Sequence, residues 1–422
     1  MRRTNWAGNY EYRAARLHRP RTVDELREVV HRAARVKVLG TRHAFNDIAD
    51  TEGDHVSMDH FDRALAIEPT REGAGVTVEG GITYGQLCPR LREAGYALRN
   101  LASLPHISVA GACATATHGS GIDNGNLATA VRAMQVINAD GQVVEYSRDA
   151  DGDRFNGVVV SLGALGVVTR LTIDCVPAYD VRQEVYENLP LDEVTSDFDV
   201  VMSAAYSVSL FTDCRAPRFN QVWLKHRVGD EARSSRDMTS RGATPAARNL
   251  HPISTMRAEN CTAQMNVAGP WDERLPHFRI EFTPSAGEEL QSEYFVPRDR
   301  AGDALRAIDA MRAQIAPLLQ ISEVRTVAAD ELWMSPCYGQ PCAAIHFTWV
   351  KDWPAVRALL PTIERQLAPF EPRPHWGKLF ALDPSQFVRR YPRYADFREL
   401  VLSCDPGGKF RNAFLARNIW SS

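Results

Sequence analysis

The sequence lacks the long apolar run that a membrane-spanning helix needs, and neither sign of charge dominates it. No run of about 18 or more apolar residues occurs, so no transmembrane helix is expected. The 49 basic and 52 acidic residues give a net charge of −3, which lends little support to a nucleic-acid or anionic-membrane partner. The N-terminus is basic but lacks the apolar core of a signal peptide. We therefore expect a cytoplasmic globular protein.

Cysteine is sparse, and the motifs of several common enzyme classes are missing. The eight cysteines show no CxxC spacing, so buried reduced thiols are expected rather than a disulfide framework or a metal set. The motifs GxGxxG, GxxxxGK[ST] and GxSxG are absent, which argues against a Rossmann dinucleotide site, a P-loop and a serine-hydrolase elbow. Neither HExxH nor another paired histidine and carboxylate spacing supports a metal site.

The length of the chain favours more than one domain. A chain of 422 residues exceeds what one hydrophobic core usually organises. Pro177 marks a boundary, because strand-like runs alternate with helical runs after it. We expect an α+β protein with residues 1–177 as one domain and residues 178–374 as a second, in which helices cover an antiparallel sheet. Residues 375–422 form a C-terminal segment.

Capping and turn signals place several elements of the first half. Thr22 with Glu25, and Thr83 with Gln86, have the spacing of capping boxes and predict two helix starts. The Asp-Gly pair at 140–141 lies between two alternating runs and predicts a hairpin with a two-residue turn.

Hydrophobic patterning predicts the remaining elements. Residues 229–255 are polar and without periodicity, so they predict a long surface loop. Strands are expected at 36–39, 76–79, 168–173, 200–211, 221–225, 293–296, 319–327 and 343–350, and helices near 299–315 and 354–368.

Two stretches of the first half have the composition of ligand-holding loops. In residues 36–46 (VKVLGTRHAFN), a short strand ends in Gly40 and is followed by a polar turn with His43. Backbone N–H groups and an imidazole at a strand end suit a phosphate-bearing cofactor. In residues 100–126, small residues dominate, so the backbone can approach a flat or charged group closely. The alternatives are an ordinary surface turn and a small-residue helix packed on a neighbour.

Two strands of the second half place polar side chains on one face. Glu323 and Arg325 are two residues apart, as are His346 and Thr348, so each pair shares a face of its strand. If the strands are neighbours, the four side chains form a patch suited to a polyhydroxylated small molecule, and Lys378 could join it. The alternative is an ordinary solvent-exposed face with a Glu–Arg pair.

Five motifs together resemble one flavoprotein family. They are residues 39–46 (LGTRHAFN), 102–111 (ASLPHISVAG), 117–121 (THGSG), 374–378 (PHWGK) and 405–414 (DPGGKFRNAF). In this order, over nearly the whole chain, they resemble the alditol oxidases of xylitol-oxidase type, in the vanillyl-alcohol-oxidase group. The resemblance implies a PCMH-type FAD-binding domain made from both chain ends, so residues 375–422 return to it, with a substrate domain between them.

The resemblance also implies which residues form the site. His43 matches the histidine that binds the 8α-methyl carbon of FAD covalently. The other implied cofactor contacts are Val38, Leu39, Gly40, Thr41, Arg42, Ala44, Ser103, Ser108, Gly111, Thr115, Ala116, Thr117, His118 and Val167. Substrate hydroxyls are expected to contact Ser103, Glu323, Arg325, His346, Thr348 and Lys378. The chain departs from the family pattern at Ala44, where relatives commonly have a serine that could hydrogen-bond the flavin or the histidine ring.

The implied reaction is oxidation of the terminal primary alcohol of an alditol to the aldose. A hydride passes to flavin N5, and molecular oxygen reoxidises the flavin with formation of hydrogen peroxide. We expect Arg325 and Lys378 to stabilise the reduced flavin and the developing alkoxide. Glu323 orients Arg325 and binds hydroxyls, and His346 is the candidate base by its intrinsic pKa. The expected partners are a small polyol and oxygen, with no nucleic acid, no membrane and no second copy of the chain.

Two other functions stay open at this point. One is an aldonolactone oxidase or dehydrogenase of the same flavoprotein group, which differs in its substrate and electron acceptor. The other is a flavin-binding protein that does not turn over, and Ala44 is the feature that favours it. Such a protein would bind FAD tightly and produce no peroxide from any polyol.

Overall fold

The computed structural model describes residues 3–230, 237–282 and 288–420, which form three β-sheets with helices around them. The strands are β1 Arg16–His18, β2 Val36–Leu39, β3 Asp54–Ser57, β4 Ala64–Pro69, β5 Ala74–Glu79, β6 Tyr96–Ala97, β7 Val131–Ile137, β8 Val143–Ser147, β9 Val167–Pro177, β10 Asp180–Pro190, β11 Ser207–Thr212, β12 Arg218–Arg227, β13 Thr244–Pro245, β14 Gly269–Pro270, β15 Glu289–Pro297, β16 Leu319–Val327, β17 Cys342–Val350 and β18 Arg373–Pro374. The α-helices are α1 Val23–Arg32, α2 Tyr84–Glu93, α3 Val109–Ala114, α4 Arg148–Asp151, α5 Asp153–Val159, α6 Leu191–Ser196, α7 Phe198–Met202, α8 Ala301–Asp309, α9 Arg312–Ile315, α10 Trp353–Leu367, α11 Phe387–Arg390, α12 Tyr394–Cys404 and α13 Ala413–Leu415.

The smallest sheet has the order β1-β3-β2, and both of its pairings are parallel. Helix α1 packs on it through Leu26 and Val30. The helix begins where the sequence predicts, because the Thr22 hydroxyl accepts the Glu25 N–H at 3.1 Å. The Glu25 carboxylate accepts the N–H of Arg21 rather than that of Thr22, so the cap is one-sided. The predicted strand 36–39 is β2.

The second sheet is antiparallel, with the order β4-β5-β9-β7-β8 and β6 beside β9. The capping box of Thr83 and Gln86 forms as predicted and opens α2. The hairpin of β7 and β8 also forms, but the two-residue turn is wrong. The Asn138 N–H donates to Gln142 O at 2.9 Å, and only Gly141 has a positive φ, at 77°. A longer turn that ends in a left-handed glycine therefore replaces the two-residue turn.

The third sheet has nine strands in the order β13-β10-β12-β11-β16-β17-β15-β18, with β14 beside β10, and every pairing is antiparallel. Ile345, Phe347 and Trp349 of β17 are buried in the main core cluster, which also contains Leu305 of α8 and Leu360 of α10. This confirms the predicted antiparallel sheet with helices on its apolar face. The polar face of the same strands is left for the site.

Several predicted elements differ in extent. The strand expected at 200–211 is wrong over its first residues, because residues up to Met202 are helical in α7 and only β11 is extended. A short apolar run does not distinguish a buried strand from a buried helix. The helix near 299–315 divides into α8 and α9, while α10 matches the helix near 354–368.

The expected surface loop at 229–255 is only partly described, since residues 231–236 lie outside the described part of the chain. Strand β13 pairs with β10, and His251 is buried rather than on the surface. The prediction of a surface loop is therefore wrong for its last part, which folds back over the nine-stranded sheet.

The C-terminal tail returns to the smallest sheet. The Val36 N–H of β2 donates to Lys409 O at 2.9 Å, and Phe410 is buried in the same cluster as Leu26. The Asn412 side-chain nitrogen lies within 3.1 Å of three backbone carbonyl oxygens, those of Asp47, Ile48 and Asp50. Docking of this segment, which its turn and aromatic pair predict, is thus present.

All eight cysteines are free, and seven of them are buried, as their scattered spacing predicts. Within the described ranges, no helix combines the length and the apolar character that crossing a bilayer requires.

Candidate active site

A cleft with a volume of about 330 Å³ lies between the loops of the first half and the polar face of the nine-stranded sheet. One wall comes from residues 37–44, 102–118 and 161–168. The other wall comes from β15, β16 and β17 and from residues 375–378. The two stretches that the sequence marks as ligand-holding loops thus face the predicted polar patch.

His43 lies at the edge of this cleft on a turn that the N-terminal residues hold. The preceding residue, Arg42, has a φ of 63°, a left-handed conformation that L-residues rarely adopt. The Trp6 ring stacks on the His43 imidazole with centroids 5.3 Å apart, and the Trp6 N–H donates to Arg42 O at 2.8 Å. The Asn5 side chain donates to Ala44 O at 2.9 Å. The turn is therefore fixed on both sides of the histidine.

The His43 imidazole is neutral, and one of its two ring nitrogens has no hydrogen-bond partner among the described residues. Burial, followed by the nearby His106, lowers the pKa of His43 to about 4. The Nδ1 atom is buried and has no hydrogen-bond partner among the residues that the structure describes. A buried polar atom without a partner costs free energy, and a bound group that pairs with this nitrogen would remove that cost.

The small-residue stretch packs directly against the His43 turn. Ser108 donates its N–H to Thr41 Oγ1 at 3.3 Å. A Cβ atom added at Gly111 would lie 2.7 Å from Ser108 Oγ, so a larger residue there requires the serine hydroxyl to move. Part of the stretch is the helix α3, so the small-residue helix that we considered as the alternative is also present.

Most of the predicted cofactor contacts line the cleft. Those that do are Val38, Gly40, Thr41, Arg42, His43, Ala44, Ser103, Ser108, Gly111, Thr115, Thr117 and His118. Leu39, Ala116 and Val167 do not line it. Leu39 points away from the cleft because side chains alternate along β2, and Val167 packs in the core beside Phe410. Ala116 is buried at a positive φ of 53°.

The two patch strands are neighbours, as the patch requires. Glu323 of β16 lies directly opposite His346 of β17 in the antiparallel register. All six predicted substrate contacts line the cleft, which are Ser103, Glu323, Arg325, His346, Thr348 and Lys378. Arg325 donates from Nη1 to Ser103 Oγ at 3.2 Å, and its Nε lies 3.4 Å from Glu323 Oε1. The solvent-face alternative is wrong, since these strand residues are buried at the bottom of a cleft.

Glu293 of β15 is the centre of the charges in the patch, and the sequence analysis missed it. Its Oε2 accepts from Lys378 Nζ at 2.7 Å, and its Oε1 accepts from Arg325 Nη2 at 3.1 Å and lies 3.2 Å from His118 Nε2. Burial by itself would raise the pKa of Glu293, but Lys378, His118 and Arg325 outweigh it and hold the pKa well below its usual range. Glu293 is therefore an ionised carboxylate that balances two buried cations.

His346 is neutral rather than a base of ordinary strength. Burial, followed by the adjacent Lys378 cation, lowers the pKa of His346 to about 3. Lys378 donates from Nζ to His346 Nδ1 at 2.9 Å, which leaves the ring proton on Nε2, 3.0 Å from Thr348 Oγ1. The intrinsic pKa from which we expected a base is therefore not the pKa that this site gives the ring. Burial also lowers the pKa of Lys378, which Glu293 partly offsets.

Comparison with known proteins decides the family. A family model described as an FAD binding domain matches residues 14–147, and one described as D-arabinono-1,4-lactone oxidase matches residues 286–418. An alditol oxidase from Streptomyces is 51% identical over 416 residues, which cover 98% of this chain and 97% of that protein. The chain belongs to the alditol oxidase family. It is accordingly an FAD-dependent oxidoreductase.

More distant relatives of the chain have names that describe oxidation of lactones. L-gulonolactone oxidase from Mus musculus is 27% identical and covers 98% of this chain and 97% of that protein. Among solved structures, cholesterol oxidase from B. sterolicum superposes with a TM-score of 0.79 at 13% identity, and the match covers 99% of this chain and 96% of that one. That likeness shows the fold, an FAD-binding domain beside a sheet-rich second domain.

The residues that line the cleft of this chain fit FAD. A Cβ atom added at Gly40 or Gly111 would meet only Ser108 Oγ, at 3.1 and 2.7 Å, so the cleft side of both backbones is open to a flat or charged group. His43 Nδ1 is a buried atom without a described partner. Lys37 lines the same wall, with Nζ donating to Gly163 O at 2.9 Å. These features suit a large cofactor that carries negative charge.

Sequence reasoning missed other residues that line the sheet side of the cleft. Glu289, Gln291 and Glu293 alternate along β15, and this period-two pattern could have revealed them. His277 lies in a loop without periodicity, and no sequence signal marks it. His375 lies beside Lys378 in the PHWGK motif that we quoted without assigning it a role.

Proposed function

We propose that the protein oxidises the terminal primary alcohol of an alditol, such as xylitol or sorbitol, to the aldose, with reduction of oxygen to hydrogen peroxide. The observation that carries this proposal is the buried polar wall of Ser103, Glu323, Arg325 and Thr348 facing the His43 turn. A buried wall that hydrogen-bonds several hydroxyls favours polyols over analogues that lack them. The 51% identity to an alditol oxidase supports the same substrate class.

We propose that His43 holds FAD through a covalent 8α-histidyl bond. The unpartnered Nδ1, the depressed pKa and the tight turn support His43 as the attachment residue, because the unprotonated ring is the nucleophilic form. When bound, FAD supplies the redox chemistry, taking the hydride from the substrate carbon and passing the electrons to oxygen. The other proposed cofactor contacts are the eleven further cleft-lining residues named above, together with Leu39, Ala116 and Val167.

The patch residues would bind and orient the substrate. Lys378 and Arg325 place two cations where the hydroxyl oxygen gains negative charge as the C–H bond breaks. Glu323 and Thr348 offer acceptors and a donor to further hydroxyls. We retain His346 as the proposed acceptor of the hydroxyl proton, which its Nδ1 would take in exchange for the hydrogen bond from Lys378. Its pKa of about 3 makes it a weak base, so a proton taken there is passed on readily.

We also propose how the chain is organised around this reaction. Residues 1–177 and 375–422 would hold the cofactor, which the contact between Val36 and Lys409 supports, and residues 178–374 would hold the substrate. We further propose that the protein works as a cytoplasmic monomer, and the eight free cysteines fit a reducing compartment. Light scattering coupled to size-exclusion chromatography tests the monomer directly.

One experiment tests the proposed reaction. Peroxide formation is measured across a panel of xylitol, sorbitol, shorter polyols and a sugar lactone, with a flavin-attachment test by acid precipitation on the same sample. We expect peroxide from the alditols and yellow colour in the precipitate. The variant Lys378→Ala should lower turnover severely, whereas His43→Ala should release all its flavin. Peroxide from no polyol, with FAD tightly bound, would show a non-catalytic flavin protein instead.

An aldonolactone oxidase or dehydrogenase is the second candidate. It is favoured by the match of residues 286–418 to the D-arabinono-1,4-lactone oxidase model. Steady-state assays with a sugar lactone and an alditol, each with oxygen and with an artificial acceptor, separate the two. A higher kcat/KM for the lactone, or turnover with the artificial acceptor only, would replace the first proposal with this one.

A further inference from the structure

A buried lysine, Lys225, and a histidine, His277, lie beside the substrate-binding face of the nine-stranded sheet. His277 contacts the Glu323 carboxylate of that face through one oxygen atom. Lys225 of β12 is 1% exposed and does not line the cleft. His277 does line the cleft, and its Nε2 lies 2.7 Å from Glu323 Oε1. Lys225 and Glu323 are on the same sheet, with strand β11 between their strands. The imidazole therefore bridges the lysine and the substrate-facing carboxylate.

The hydrogen bonds define which nitrogen of His277 carries the proton. Burial would raise the pKa of Glu323, but Arg325 and His277 hold it below its usual range, so the carboxylate is ionised and only accepts. A neutral imidazole has one N–H, and it must therefore be on Nε2. Lys225 then donates to the acceptor nitrogen Nδ1, at 3.2 Å. The other two Lys225 donors are taken by Leu275 O at 2.6 Å and Pro276 O at 3.0 Å.

Contacts fix both the backbone and the ring of His277. Its N–H donates to Ser103 O at 3.2 Å, and its carbonyl accepts the Thr262 N–H at 3.0 Å. The rings of Phe211 and Trp223 meet the imidazole edge-on, with centroids 5.5 and 5.2 Å away. The same residue thus connects the Ser103 loop, on the cofactor side, to Glu323 on the sheet.

The two oxygens of Glu323 are consequently different. Oε1 accepts from His277, while Oε2 has no hydrogen-bond partner among the described residues and belongs to a side chain that lines the cleft. An orienting group behind a histidine fixes its tautomer and its direction in catalytic triads and metal sites. Here the orienting group is a lysine that donates to Nδ1, and burial lowers the pKa of this lysine to about 7. The imidazole therefore stays a neutral donor at Nε2 rather than becoming a base.

We propose that Lys225 and His277 form a positioning pair that holds Glu323 Oε1 and so presents Oε2 to a hydroxyl of the substrate. The inference rests on the proposed polyol oxidation, whose substrate hydroxyls Glu323 would bind. It adds two residues to the site, one of which never touches the substrate. It also gives a role to Lys225, a buried lysine with no carboxylate within ion-pair distance among the described residues.

The test compares four variants of the flavin-loaded enzyme with the wild type. Lys225→Met and His277→Leu should raise KM for the best polyol about 10–100-fold, the loss typical of removing an orienting partner, with a smaller change in kcat. His277→Gln keeps an N–H donor near the position of Nε2 and should recover part of that loss. Lys409→Met is the matched control, because Lys409 also donates to two backbone carbonyls but lies outside the cleft.

A spectroscopic readout separates this inference from the proposed reaction. In protein labelled with ¹⁵N-histidine, the His277 signals, identified by their loss in His277→Gln, should show the Nε2–H tautomer in the wild type. In Lys225→Met the Nδ1 signal should shift, because that nitrogen loses the N–H that Lys225 donates to it. A KM in Lys225→Met and His277→Leu equal to that of Lys409→Met would overturn the pair. If no polyol is oxidised by the wild type, the proposed function fails. The pair is then decided by the tautomer alone, and a proton on Nδ1 refutes it. Should Lys225→Met not fold, the His277 variants carry the kinetic test.

Discussion

At the scale of single residues, Glu293 shows how the site keeps charges inside the protein. Its side chain is inaccessible to solvent. It accepts from Lys378 and Arg325, and its Oε1 lies 3.2 Å from His118 Nε2. Each cation loses its hydration on burial, and the carboxylate replaces it. Removing one member of such a set leaves an uncompensated buried charge, which costs more than the set itself contributes.

Glu293→Gln is therefore expected to lower the free energy of unfolding by about 3–5 kcal/mol, because Lys378 and Arg325 lose their shared counter-charge. Urea unfolding at pH 7 measures the change. Glu93→Gln, at an exposed carboxylate, is the control and should stay within about 0.5 kcal/mol of the wild type. Equal stability of Glu293→Gln and the control would mean that the cations rearrange or lose a proton at little cost.

Lys378 gives the site its expected dependence on alkaline pH. Burial lowers the pKa of Lys378, and Glu293 offsets only part of this. The cation is present below that pKa and is lost as the pH rises through it, so kcat/KM should fall on the alkaline side before the usual lysine range. Glu293 and His346 have pKa values too low to titrate there.

Lys378→Arg is expected to reduce kcat/KM at neutral pH but to remove the alkaline fall, because a guanidinium does not deprotonate in this range. Profiles of kcat/KM between pH 6 and about 10 measure it. An alkaline limb at the same position in wild type and variant would assign the titration to another group.

At the scale of elements, alternation along strands is the signal that predicted most. It placed Glu323 and His346 on one face, and the register of β16 and β17 brings them opposite each other. It failed where length and periodicity conflict, as at residues 200–202, which are helical. It was not applied to β15, although Glu289, Gln291 and Glu293 show the same pattern, nor to Lys225 on β12.

The tail is an element whose docking carries a measurable share of stability. Phe410 is 1% exposed in the cluster formed by α1 and the smallest sheet. Phe410→Ala should lower the free energy of unfolding by about 3–5 kcal/mol, because a buried aromatic ring is replaced by a cavity. It should also reduce attached flavin, since β2 leads directly to His43.

Urea unfolding and the ratio of flavin to protein absorbance measure the two effects of Phe410→Ala. Leu402→Ala, at a partly exposed position of the neighbouring helix α12, serves as the control for stability and should change both little. Loss of stability with full flavin attachment would mean that the tail supports the sheet but not the His43 turn.

At the scale of the whole molecule, the cleft is built from positions that are far apart in sequence. Five site residues line one cleft only because the three sheets pack together and two segments, the end of the 229–255 loop and the C-terminal tail, fold back onto them. These residues are His43, Ser103, His277, Glu323 and Lys378. Neither periodicity nor capping contains that long-range information. The family motifs supplied it for most of these residues, whereas His277 lies outside every motif and was visible only in the structure.

Because the cofactor wall and the substrate wall come from different sheets, a bound cofactor should stabilise the whole chain. The variant His43→Ala, prepared without flavin, isolates this effect from covalent attachment. Adding FAD at 100 times its dissociation constant should stabilise the folded state by about 2.7 kcal/mol, since a ligand that binds only the folded chain shifts unfolding by mass action. The midpoint of thermal unfolding, followed by far-UV circular dichroism and by tryptophan fluorescence, should rise together in both signals. The wild type with its flavin attached should gain nothing from added FAD, because its site is already filled. A rise in one signal only would show that the two walls unfold independently and that the cleft does not join them.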